Sequence, residues 1–274
     1  MLIDAHQHYW IIGKHGQEWP TADLGRIHRD FEPSDWEAEA SAVGVESSIL
    51  VQSQPSDADT DWLLELADAT PSVVGVVGWA DLKSPDAPAR IGKLAQHRQL
   101  KGLRPMLQSL PDSWINDPVL DPSITAMLEH GLRFDALVLP TQLPNLRRFA
   151  MRWPELSIVI DHGAKPAIRD KQVEPWATEM SELAKLPNVM CKLSGLMTEK
   201  APAQGHEALA PFVQHLCATF GPERLMWGSD WPVVLLAARY AEWFEMARDL
   251  GGFSEAELGH VFGGTATRFY GLDA

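Results

Sequence analysis

At 274 residues and 45% hydrophobic, the chain can bury a large core, and its length alone allows one large α/β domain or two ordinary ones. A net charge of −14, a pI of about 5.1 and the lack of any Lys/Arg-rich run argue against nucleic acid or an anionic membrane as partner. Two cysteines, Cys191 and Cys217, are too few for a disulfide framework, no apolar run reaches the roughly 18 residues of a membrane span, and no basic, apolar leader precedes Leu2; a cytoplasmic protein is expected.

The first apolar run, Leu2 to Ala5, leads into Asp4-Ala5-His6-Gln7-His8. Side chains alternate along a strand, so His6 and His8 point the same way, about 7 Å apart along the chain, and suit a shared ion or substrate group. Taken alone, such a pair leaves a structural role equally open. Tyr9 to Phe31, with Trp10, Trp19, Pro20 and His28, is then too long for an ordinary βα loop. Ser34-Asp35-Trp36-Glu37 has the capping pattern of a helix N-terminus and predicts a helix to Val43. A strand follows from Ser47 to Gln52, and Asp59-Thr60-Asp61 opens a helix running to Ala69.

Further strands are predicted from Val73 to Trp79, Leu100 to Pro105, Arg133 to Leu139, Ser157 to His162, Asn188 to Gly195 and Leu225 to Pro232. A second long loop, Pro105 to Pro122, carries Met106, Trp114 and Asn116. Closing helices are expected over Ala237 to Leu250 and Ser254 to Gly259, the latter capped by Ser254 and Glu257. Eight short apolar strands alternating with helices predict a single-domain (β/α)8 barrel over residues 1–274, an α/β fold of the TIM type, with long loops after strands 1 and 4.

In such a barrel the C-terminal ends of all strands open on one face, so polar residues there converge. Strand 1 ends in His6 and His8, strand 4 in Lys101-Gly102-Leu103-Arg104, and strand 6 in Asp161-His162, with Asp161 read as lying on the opposite pleat from His162. Strand 7 ends in Cys191-Lys192-Leu193-Ser194 and strand 8 in Gly228-Ser229-Asp230-Trp231-Pro232. Met190, Lys192 and Ser194 share a face, and an inward Lys192 would be costly to bury unless it meets an anion.

His6-x-His8 after the first strand, a histidine ending the sixth and Gly228-Ser229-Asp230-Trp231-Pro232 after the eighth resemble the amidohydrolase superfamily. More narrowly, the chain is similar to the amidohydrolase-2 group, which contains sugar-acid lactonases acting on L-fucono- and L-rhamnonolactone and 2-pyrone-4,6-dicarboxylate lactonase. Dinuclear superfamily members carry a bridging lysine on strand 4 and a histidine on strand 5. Here strand 4 offers Leu103-Arg104-Pro105 and strand 5 Arg133-Phe134-Asp135, so two metals are not expected. The resemblance implies at most one divalent metal, zinc first, on His6, His8, His162 and Asp230, with metal-free members also known in the group.

The implied function is hydrolysis of a small-molecule lactone derived from an aldonic acid. Asp230 is the expected general base, with His162 and Lys192 polarising the carbonyl if no metal does so. Arg104 has a planar fork suited to a carboxylate or hydroxyls. Tyr9, Trp10, Trp114 and Trp231, beside the motifs or in the long loops, are expected to contact a sugar-like ring. A zinc-dependent decarboxylase of the same superfamily and a barrel that binds a sugar acid without turnover stay open.

Overall fold

Each predicted strand pairs in parallel with the next in chain order, in a computed structural model that describes residues 1–272. The strands are β1 (Ile3–Gln7), β2 (Ser47–Val51), β3 (Val73–Gly78), β4 (Leu100–Leu103), β5 (Arg133–Ala136), β6 (Ile158–Ile160), β7 (Val189–Leu193) and β8 (Leu225–Trp227). The ring is nearly closed by a bridge between Gln7 and Trp231, where Asp230 N donates to His6 O at 2.8 Å and His8 N to Trp231 O at 2.7 Å. The helices α1 (Pro33–Ser41), α2 (Asp57–Ala69), α3 (Ala87–Leu94), α4 (Asp121–Glu129), α5 (Leu143–Arg152), α6 (Trp176–Ala184), α7 (Ala210–Phe220) and α8 (Tyr240–Gly251) follow the strands in turn. Two short helices, α9 (Glu255–Gly259) and α10 (Thr265–Tyr270), complete a (β/α)8 barrel.

Three helix starts differ from expectation, one of them α8, which begins at Tyr240 rather than Ala237 because Val233–Leu236 forms a separate short turn before it. Helix α1 begins at Pro33, whose fixed φ suits the first helical position, and Glu32 rather than Ser34 takes the cap, its N–H donating to Asp35 Oδ2 at 3.1 Å. Helix α2 begins two residues before Asp59, because Ser56 Oγ accepts from Ala58 N and Asp59 N at 3.1 and 3.4 Å. The Ser254–Glu257 pattern does cap α9, with Ser254 N donating to Glu257 Oε2 at 2.8 Å.

Strand alternation divides the core in two. One set of side chains, including Leu50, Leu103, Phe134 and Trp227, packs outward against the helices. The other, including Ile3, Ala5, Ile49, Val51, Val77, Val159 and Met226, fills the barrel floor, which α10 plugs with Ala266, Phe269 and Tyr270. This leaves the opposite mouth, at the C-terminal strand ends, for polar groups. No helix among the described residues is long and apolar enough to cross a membrane.

Candidate active site

His6 and His8 reach the barrel mouth together, their rings 4.9 Å apart and nearly perpendicular. His8 Nδ1 lies 2.8 Å from Val51 O; a carbonyl only accepts, so Nδ1 carries the proton and Nε2 offers its lone pair. That Nε2 is 3.2 Å from His6 Nε2 and 3.3 Å from Asp230 Oδ1. His162 turns in from the end of β6, its Nδ1 2.9 Å from Ser194 Oγ and its Nε2 3.8 Å from Asp230 Oδ1.

Backbone conformations that L residues rarely adopt position two of these groups. Asp230 has φ +57°, and His162, Gly163, Ala164 and Lys165 form a left-handed run with φ of +50° to +61°. Each non-glycine residue held this way costs on the order of 1–2 kcal/mol, which the surrounding packing must offset. Glycines supply the room: a Cβ on Gly195 would lie 2.5 Å from His162 Cγ, and one on Gly228 would lie 2.7 Å from His6 Cβ.

One ligand atom each from His6, His162 and Asp230 lie within 4.8 Å of one another, the one such group among the described residues. Zinc bonds of about 2.0–2.1 Å place tetrahedral donors roughly 3.3 Å apart. His162 and His6 donors stand 3.8 and 3.9 Å from Asp230 Oδ1, so these three could share a single ion, with His8 Nε2 beside them at 3.3 Å from Asp230 and 3.2 Å from His6. Burial, and then the Lys192 charge, push His6 well below its ordinary pKa, and burial pushes His162 down to about 4. Both rings are neutral at pH 7, as ligands must be. Burial opposes ionisation of Asp230, but the imidazoles around it, His162 first and then His6 and His8, outweigh that effect and hold the carboxyl below the usual carboxylate range.

Behind His6 the expected roles change. Lys192 is fully buried, bonded to Asp135 Oδ2 at 2.5 Å, and lies 3.0 Å from Asp161 Oδ1 and 3.1 Å from His6 Nδ1. It meets two anions, as an inward lysine requires, but lies behind the cavity wall, out of reach of a substrate carbonyl. Asp161 also points inward, contrary to the expected opposite pleat. β6 ends at Ile160, and the left-handed turn at His162 breaks the alternation, so both side chains face the interior. Lys192, His6 and Arg104 hold Asp161 well below its ordinary pKa against the effect of burial, whereas burial pushes Asp135 up to about 6. Arg104 reaches the cavity but is not free: its NH1 is 3.4 Å from Asp161 Oδ2 and 3.3 Å from His6 Nε2, and its NH2 donates to Gln52 O.

The cavity above holds about 330 Å³ and is floored by His8, Arg104, His162 and Asp230. Both long loops wall it, the first through Glu18 and Trp19 and the second through Met106, Gln108 and Ser109, with Lys165 at another edge. The expected aromatic contacts lie elsewhere. Tyr9, Trp10 and Trp231 are at most 1% exposed and pack in edge-to-face contacts with one another's neighbours, Trp231 against Tyr9 and Phe31, Trp10 against Trp19 and Phe31. Tyr9 and Trp231 directly follow the inward His8 and Asp230, and adjacent side chains face opposite ways. Trp114 lines neighbouring grooves, with Lys83 Nζ 5.2 Å from its ring centroid. Trp19 is the aromatic in the wall, and its loop is pinned by Gln54, which accepts from Glu18 N and Trp19 N.

Comparison with known proteins agrees with this geometry. The family model described as amidohydrolase matches residues 3–272. The chain is 49% identical to a protein named L-fucono-1,5-lactonase from Burkholderia ambifaria and 36% identical to one of the same name from Burkholderia multivorans, each match covering 99% of this chain and 96% of the relative. A crystal structure of an amidohydrolase from Burkholderia multivorans with bound zinc superposes over 100% of both chains with a TM-score of 0.94 at 34% identity. Matched in sequence and in fold along almost its whole barrel, the chain belongs to the amidohydrolase family.

Proposed function

We propose that the chain hydrolyses a sugar-derived lactone, with L-fucono-1,5-lactone as the substrate of first choice. The observation that carries this reading is 49% identity over 99% of the chain to a lactonase of that name, in a molecule whose one ionised cavity-floor carboxylate, Asp230, lies among three imidazoles. A cavity of about 330 Å³ suits a single sugar-sized ring.

Asp230 holds a water by accepting its proton as the water oxygen bonds to the lactone carbonyl carbon. The carbon to ring-oxygen bond then breaks, Asp230 passes the proton to that oxygen, and the product is an open hydroxy acid with Asp230 ionised again. The Arg104 charge at the floor favours the anion that develops on the carbonyl oxygen, because a fixed charge in a partly dry site acts more strongly than in water. His6, His8, His162 and Asp230 would hold one divalent ion, zinc first, which when bound supplies Lewis acidity toward the carbonyl and the water. Glu18, Gln108 and Ser109 in the walls offer partners for sugar hydroxyls. Both cysteines are free thiols, and we place the activity in the reducing cytoplasm.

A pH-indicator assay over a panel of sugar lactones, with elemental analysis of the purified protein, tests the reading. Acid release from L-fucono-1,5-lactone without carbon dioxide is expected. No acid release from any lactone in the panel would overturn it.

A further inference from the structure

Beneath the cavity lies a second polar cluster that no substrate can reach. Asp135, Asp161 and Lys192 are 0% exposed, and Tyr270 is buried beside them. They come from four separate elements: β5, the end of β6, β7 and the last helix α10. Lys192 Nζ spans Asp135 Oδ2, Asp161 Oδ1 and His6 Nδ1 at 2.5, 3.0 and 3.1 Å, and Tyr270 OH donates to the same Asp135 Oδ2 at 2.7 Å. With Arg104 3.4 Å from Asp161 Oδ2, two cations face two carboxylates in a dry interior.

Buried ion sets of this kind seldom serve stability, since apolar residues of the same volume do as well or better. This one closes on the His6 ring, Lys192 Nζ and Asp161 Oδ1 lying 3.1 and 3.4 Å from Nδ1 and Arg104 NH1 3.3 Å from Nε2. The opposite ring nitrogen, Nε2, lies 3.2 Å from His8 Nε2 and 3.9 Å from Asp230 Oδ1, two groups of the cavity floor. Anchoring one nitrogen of an imidazole fixes the direction and protonation of the other.

We propose that Asp135, Asp161 and Lys192 form a positioning cradle for the His6 ring, and that Tyr270 is its outermost member. The proposal reassigns Lys192 from contact with substrate to control of a neighbour. It gives the C-terminal helix a part in catalysis from the far side of the barrel, and it rests on the lactonase reading only for its kinetic readout.

Two variants test it, Asp135→Asn and Tyr270→Phe, the second removing a hydroxyl while leaving its ring in the floor. Outer-shell partners typically contribute 10–100-fold, so kcat in Asp135→Asn should fall by about that factor with KM held within roughly twofold. Tyr270→Phe should move kcat in the same direction by a smaller factor. Imidazole nitrogen NMR of histidine-labelled protein, with the His6 signals assigned by their loss in His6→Ala, should show those signals shifted in both variants. A lower melting temperature with unchanged kcat and unchanged His6 signals would overturn the proposal, because a purely structural cluster gives that result. If Asp135→Asn does not fold, the same two outcomes in Tyr270→Phe decide. If the wild type opens no lactone, the His6 signals still decide the cradle, and the lactonase reading fails separately.

Discussion

Ser229 N donates to Asp4 Oδ1 at 2.8 Å, so a carboxylate on the first strand holds the end of the eighth. The same side chain accepts from His6 N, Trp36 Nε1 and Tyr240 OH, each at 3.1 Å, and burial raises its pKa against those hydrogen bonds. Asp4 thus joins the barrel seam to α1 and α8. Asp4→Ala would strand several buried donors at once and should cost about 3–5 kcal/mol, whereas Asp4→Asn, keeping one oxygen, should cost less. Urea unfolding of the two variants measures this, and a loss below about 1 kcal/mol in Asp4→Ala would remove Asp4 from the seam.

Asp230→Asn should fold normally and lose about 10²–10⁴-fold in kcat, the usual contribution of a general acid–base group. Circular dichroism and lactone turnover on one preparation suffice. Retained turnover would take Asp230 out of the proton path.

Metal content is a separate expectation. Wild-type protein should retain about one equivalent of divalent metal after dialysis, and His6→Ala should lose both metal and rate. Fully active protein holding less than about a tenth of an equivalent would refute a resident metal.

Gly195→Ala tests how closely His162 is fitted. At φ +65°, and with the new Cβ 2.5 Å from the His162 ring, the substitution must displace that imidazole or the turn after β7. Strain of about 1–3 kcal/mol and a drop in kcat should appear together. Wild-type kcat in the variant would show that the ring can move without consequence.

A pH effect is expected at Asp59, which lies under the cavity rim with Oδ2 accepting from Ser53 N and Gln54 N at 3.1 and 3.3 Å. Burial pushes its carboxyl up to about 7 from an ordinary 3.8. The folded chain therefore holds this proton more tightly than the unfolded chain does. That contribution is fully present below about pH 4 and is lost as the pH rises through about 7. Asp59→Asn carries no such loss, so its urea midpoint should gain on the wild type between about pH 5 and pH 8. Parallel profiles would contradict the shift.

Much of the barrel is legible in the sequence because parallel strands, covered on both faces, read as short apolar runs such as Ile158-Val159-Ile160. The residues that converge on the floor are legible for the same reason, as polar groups ending those runs. Three things were hidden. The inward turn of Asp161 depends on a left-handed backbone at His162 that no strand periodicity encodes. Asp135 and Tyr270 look incidental until the fold brings them to Lys192, although a lone aspartate within Arg133-Phe134-Asp135-Ala136 was a visible sign of a buried partner. Nearness to a motif misleads for the aromatics, since the neighbour of an inward residue points away; Trp19, nine residues past Trp10, reaches the cavity instead.

The seam between β1 and β8 runs through the site itself, where 222 positions of chain separate His8 from Asp230. Turnover is therefore a report on ring closure. A molecule that parts at this junction keeps seven of its strand pairings and much of its helical signal, yet it separates the histidines from the carboxylate. Under mild denaturation such a barrel goes silent before it melts.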